Sequence, residues 1–89
     1  MNHVLQRAQE RYQVTLTLLD LKSMVDRIRS GRKCAYLAPG INGAEVWTVF
    51  YKQITYRLVY NPENRRILTF LRPEISAASP YMKKIQRAP

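Results

Sequence analysis

An α+β domain, two N-terminal helices packed on one face of a four-stranded antiparallel sheet, is predicted by three observations. Apolar residues recur at helical spacing as far as Gly31 and not beyond it. From Arg32 to Leu71 the pattern changes to alternation, with runs rich in β-branched and aromatic residues. Those runs are joined by short turn signals, which suit antiparallel neighbours and leave no room for crossover helices. The helices must cover one face of such a sheet, and the other face is expected to stay wet.

The first helix spans 2–12, with Asn2 as its N-cap and Val4, Leu5, Ala8 and Tyr12 on one apolar face. His3 and Arg7 stand four apart on a neighbouring face. After a break at 13–16, Thr17-Leu18-Leu19-Asp20 reads as a capping box with Asp in the usual Glu or Gln place. It opens a second helix over 18–30. Leu18, Leu21, Val25 and Ile28 form its stripe, widened by Met24. Gly31 closes it, with Arg27 and Arg29 in the favourable last turn.

Four strands follow: 33–37, 45–52, 54–60 and 66–71. Pro39-Gly40-Ile41-Asn42-Gly43 separates the first two, a tight turn near Lys52-Gln53 the next two, and Asn61-Pro62-Glu63-Asn64 the last two. Pro73 stops the final strand. Residues 1–72 therefore make the domain, and 73–89 form a basic extension with three prolines, suited to docking on the body, on a partner or on a second copy.

The chain has 89 residues, one domain's worth. Lys plus Arg is 15 against 6 Asp plus Glu, a net charge of +9. Residues 32–72 hold seven basic and two acidic groups, so the excess centres on the sheet. A basic sheet face points to a polyanionic partner, most simply RNA or DNA. One cysteine, Cys34, rules out an intrachain disulfide and a Cys-based zinc site, and one histidine, His3, rules out a His-His metal site. No metal or cofactor is expected. No apolar run is long enough to span a membrane, no signal-peptide h-region opens the chain, and a cytoplasmic location is the expectation.

Strict alternation divides the strands. Trp47, Val49 and Tyr51 oppose Val46, Thr48 and Phe50. Tyr56, Leu58 and Tyr60 oppose Thr55, Arg57 and Val59. Ile67, Thr69 and Leu71 oppose Leu68 and Phe70. Arg57 and Thr69 are expected near the open face, and Trp47, Phe50 and Phe70 in the core. Tyr51, Tyr56 and Tyr60 suit either core packing or base stacking. With Arg65, Arg66, Lys83 and Lys84 as phosphate contacts, they are the candidate nucleic-acid-binding residues.

The His3-x-x-x-Arg7 helix, the Thr-capped second helix ending Ile28-Arg29-Ser30-Gly31, and the Val-Trp-Thr-Val-Phe-Tyr, Arg-Leu-Val-Tyr and Ile-Leu-Thr-Phe-Leu strands together resemble a known family. It is the barnase–EndoU–colicin–RelE superfold of small ribonuclease toxins, and the likeness covers about residues 2–72. The resemblance implies metal-independent RNA cleavage, in which the ribose 2′-OH attacks its own phosphate. Carried over by position, it makes His3 the proton-transfer group and Arg7 the phosphate holder, with Arg57 and Thr69 completing the catalytic set. It also implies an antitoxin or immunity protein as partner. Two alternatives stand beside the nuclease. One is a non-enzymatic phage or mobile-element protein that uses the same fold to inhibit a host protein or nucleic-acid machine. The other is a subunit of a larger assembly, including a homo-oligomer joined through the tail.

Overall fold

The computed structural model describes residues 3–73. Asn2, Lys83, Lys84 and the proposed docking role of the tail lie outside the described residues. The elements run α1 (His3–Tyr12), α2 (Leu18–Ser30), β1 (Cys34–Pro39), β2 (Glu45–Tyr51), β3 (Ile54–Asn61) and β4 (Arg66–Leu71), with a 3₁₀ turn at Ile41–Gly43 between β1 and β2. The four strands form one antiparallel meander in the order β1-β2-β3-β4. This is the expected α+β fold, with both helices preceding the sheet.

Local chemistry explains the helix ends. The Thr17 hydroxyl accepts from the Asp20 backbone N–H at 3.2 Å, and the Asp20 carboxylate accepts from the Thr17 backbone N–H at 2.8 Å. The capping box thus satisfies donors that the first turn leaves unpaired. Gly31 adopts φ 72°. Its N–H reaches the Ile28 carbonyl while the Arg32 N–H reaches that of Arg27, the paired closure that a left-handed residue permits. Cys34 donates its thiol to the same Arg27 carbonyl at 3.3 Å, and burial raises its pKa, so it stays a thiol and packs.

The helix-facing side of the sheet carries Val49, Tyr51, Tyr56, Leu58, Tyr60, Ile67 and Phe70, closed from above by Ala8, Leu16, Met24 and Ile28. Two sequence expectations change here. A β-bulge falls between Val59 and Tyr60, which pair with Thr69 and Ile67 and leave Leu68 without an opposite residue. The extra residue shifts parity, so Ile67 and Phe70 share the core face although strict alternation separates them. Phe50 pairs with Thr55 on the side away from the helices and is 42% exposed, not buried. Leu18, at the start of the apolar stripe of α2, is likewise exposed.

The opposite face is not wet throughout. Ala38, Ala44, Val46, Val59 and Leu71 form a second buried cluster there. A bulge between Tyr36 and Ala38 and the 3₁₀ turn bring the two alanines beside Val46, which is itself opposite Val59. Polar residues of that face, among them Thr48, Thr55, Arg57, Asn61 and Thr69, surround the cluster.

One side chain joins the helical layer to the end of the sheet. The Tyr12 hydroxyl donates to the Leu71 carbonyl at 2.7 Å and accepts from the Arg57 N–H at 2.9 Å. Arg57 and Leu71 are partners at the last rung between β3 and β4, so the hydroxyl completes that rung. The ring of Tyr12 packs on Tyr56 and Phe70, with centroids 4.8 and 6.2 Å away, and Arg11 donates to the Phe70 carbonyl at 3.2 Å. Burial pushes the phenols of Tyr12 and Tyr56 above their ordinary pKa.

Tyr12→Phe keeps the ring and leaves a donor and an acceptor unpaired. It is expected to cost about 1–3 kcal/mol. In a domain of this size that lowers the melting temperature by roughly 4–8 °C per kcal/mol. A thermal melt unchanged from wild type would refute the bridge.

Asp20 generates a second expectation. The Tyr51 hydroxyl donates to its carboxylate at 2.5 Å, and this bond, with the Thr17 N–H and hydroxyl and the Lys52 ammonium, holds the carboxyl well below its usual range. A carboxyl depressed in the folded state adds stability that is complete above its unfolded pKa of about 4 and is lost as the pH falls further. Asp20→Asn should cost about 1 kcal/mol near neutrality, the worth of a cap. Its deficit against wild type should shrink in acid. Urea midpoints at about pH 7 and about pH 3 check the sign, and a constant deficit would remove Asp20 as its source.

Candidate anion-binding site

Helix α1 runs against β4, and its first two turns approach the strand where the bulge pushes Leu68 outward. His3 opens α1 and Arg7 lies four residues on, so both side chains fall on one flank of the helix. That flank meets Thr69 of β4, Val59 and Asn61 of β3, and Ile41, Asn42 and Ala44 of the turn before β2. Together these residues line a cavity of about 520 Å³. Three of the four expected catalytic residues, His3, Arg7 and Thr69, therefore share one concavity, drawn from opposite ends of the sequence.

Arg57 is not part of the lining. It occupies the same sheet face as Val59 but two residues along β3, roughly 7 Å by ordinary strand rise. Its backbone N–H is engaged by Tyr12, and its side chain is half-buried. Arg57 can therefore contribute charge near the cavity without lining it.

The three tyrosines are a correction. Tyr51, Tyr56 and Tyr60 all lie in the core under the helices, and Tyr56 is 1% exposed. Tyr51 is further held by its bond to Asp20, with Arg27 and Lys52 each 5.4 Å from its ring centre. Stacking a base returns about 1–3 kcal/mol. Exposing a buried aromatic ring costs a similar ~1.5–3 kcal/mol, and the cavity left behind adds to that. Stacking cannot repay extraction, so these rings are structural. Alternation puts Tyr56 and Tyr60 on one face of β3, and only the register with β2 and the packing of the helices place them with Tyr51 in the core. Arg65 and Arg66 are exposed at the start of β4 and line a different depression, beside Lys22.

Two lining residues escaped the sequence reading. Asn42 and Asn61 read there only as turn formers. Asn42 adopts φ 58° within the 3₁₀ turn, and the amide oxygen of Asn61 accepts from the Glu63 N–H at 2.9 Å. Both turns end at the same corner of the sheet, which no local pattern announces. The Asn-Gly and Asn-Pro pairs were the available signal, since an amide in a turn is often kept for its side chain as well as its backbone.

The site's chemistry follows from its inventory. His3, Arg7, Asn42, Asn61 and Thr69 supply cationic or neutral hydrogen-bond donors, and among the described residues the lining contains no carboxylate. Outside the lining, the Glu10 carboxylate accepts from Arg7 at 2.7 Å and from Gln6 at 3.1 Å. Those two bonds, Arg7's first, hold Glu10 below its ordinary pKa and occupy part of the Arg7 guanidinium. Donors around a concavity without acids suit an oxyanion such as phosphate. Among the described residues, no group of three or more His, Cys, Asp or Glu side chains is placed to hold a metal ion, and no helix is long and apolar enough to cross a membrane. Comparison with protein-family models, with curated proteins and with solved structures gave no match.

Freeing Arg7 should strengthen anion binding. Glu10→Gln is expected to tighten inorganic phosphate at the cavity by about threefold, within the modest range of exposed ion pairs. Amide-shift titration of residues 3–7, 42, 61 and 69 reads this directly. Unchanged affinity would mean that Arg7 does not face the anion.

Proposed function

We propose that this is a small basic RNA-binding protein that holds a backbone phosphate in the His3–Arg7–Thr69 cavity and cleaves the RNA there without a metal. The single observation that carries the reading is the convergence of α1 and β4 donors on one cavity whose described lining holds no carboxylate. The net charge of +9 adds long-range attraction for a polyanion.

The roles follow from the chemistry of each side chain. The neutral imidazole of His3 takes the proton from a ribose 2′-OH. The 2′-oxygen then forms a bond to phosphorus while the bond from phosphorus to the 5′-oxygen breaks. The leaving 5′-oxygen takes a proton from water or from the imidazolium just formed. Products are a 2′,3′-cyclic phosphate and a 5′-hydroxyl. Arg7 offers two parallel donors to the non-bridging oxygens, Thr69 a hydroxyl, and Arg57 a second positive charge from two residues along β3. A nuclease acting on cellular RNA would need a restraining partner, which is the place of an antitoxin or immunity protein.

A second reading, binding without cleavage, is favoured by one observation. Among the described lining residues there is a single imidazole and no carboxylate, so no separate acid and base face each other. In that case the protein acts by occupying a nucleic acid or a host machine.

The test is RNA cleavage by the purified full chain in EDTA, with wild type beside His3→Ala and Arg7→Ala. The nuclease reading expects cyclic-phosphate ends and a loss of about a hundredfold or more for His3→Ala, the usual weight of a general base. Intact RNA with retained binding would leave the second reading. Intact RNA without binding would overturn both for the RNAs tested.

A further inference from the structure

A second depression lies on the other side of Leu68. It is a groove of about 560 Å³ between α1, α2 and the start of β4. Its walls are apolar: Val4 from α1, Leu18, Leu21 and Val25 from α2, and Ile67 and Leu68 from β4. Its rim is basic, with Lys22 on α2 facing Arg65 and Arg66 across it, and no acidic residue among the described lining. Leu18 is 64% exposed and Leu68 44% exposed. Neither leucine is needed by the core, and the parity shift of the bulge is what turns Leu68 outward.

The combination says what fits. A nucleic-acid strand would match the cations and waste the apolar walls. A second copy of this chain brings +9 to a basic rim, and the segment 74–89 carries three basic residues and one acidic. Like charge disfavours both. The α2 wall residues at 18, 21, 22 and 25 span two helical turns, roughly 10 Å, which matches two turns of a helix laid alongside. We infer that this groove docks an amphipathic helix of an acidic partner protein, its apolar side chains at i, i+3 or i+4, and i+7 between Leu18 and Leu68, and its flanking carboxylates on Lys22, Arg65 and Arg66. The inference stands on the groove and is independent of any action on RNA. Leu68 also lines the His3 cavity, so such a helix would stand against a wall of that site.

The experiment is a titration of the full chain with a helical peptide of ~14 residues, leucines at the anchor spacing and glutamates on both flanks. Its controls are the same peptide with lysines for the glutamates and one with the leucines scrambled. Expected are amide shifts at Leu18, Leu21, Val25 and Leu68, at least tenfold weaker binding of both controls, and a comparable loss for Arg65→Glu/Arg66→Glu, whose side chains are exposed and whose fold is checked by circular dichroism. Leu68→Asp is a second, separate groove variant with the same expected loss. Equal binding of the scrambled peptide, shifts elsewhere, or no binding would overturn the proposal. So would groove shifts produced by oligouridylate alone, or by raising the protein's own concentration.

Discussion

The Tyr12 hydroxyl sits where three parts of the molecule meet. It completes the last rung between β3 and β4, and its ring fills the space between Tyr56 and Phe70. A helix of ten residues is marginal by itself, so the course of α1 is set by what it packs against. Tyr12 pins its C-terminal end to the end of β4, and Ala8, fully buried, lets the helix backbone come close to the sheet. The direction of α1 from those two contacts carries His3 and Arg7 back along β4 to Thr69. Without the bridge, the His3–Arg7–Thr69 cavity loses its α1 wall.

The bulge at Leu68 is the second determinant. Its extra residue keeps Ile67 and Phe70 both in the core while turning Leu68 out. The exposed leucine becomes a ridge between two depressions of different character. One sets the donors of His3, Arg7 and Thr69 among apolar neighbours such as Ile41 and Val59. The other is apolar within a basic rim. A regular strand would have buried Ile67 or Phe70, not both, and would have kept Leu68 on the same face as Phe70.

The remaining ionic contacts are structural or regulate charge at the rim. Asp20 gathers the Thr17 cap, the Tyr51 hydroxyl and Lys52, and so fastens the start of α2 to the hairpin between β2 and β3. That hairpin turns through Lys52 and Gln53, both at positive φ without glycine. Such turns prefer Asn-Gly, and the contact from Lys52 to Asp20 offsets part of the strain. Glu10 limits how much of Arg7 is offered outward.

Much of this was legible in the linear pattern. The Thr17–Asp20 capping box, the Gly31 stop, the change from helical to alternating period and the short turns each rest on local backbone chemistry, and each determined its element from a few neighbouring residues. The proximity of His3 and Arg7 was legible for the same reason. Tertiary structure alone decided which sheet face the helices cover, because alternation is symmetric between faces. That choice buried Tyr51, Tyr56 and Tyr60 and left Phe50 outside. It also decided the bulge, since parity on β4 depends on pairing with β3 and not on the order of residues within the strand. The junction of His3 and Arg7 with Asn42, Asn61 and Thr69 belongs to the same category. It joins residues up to 66 positions apart through packing that acts on no local segment.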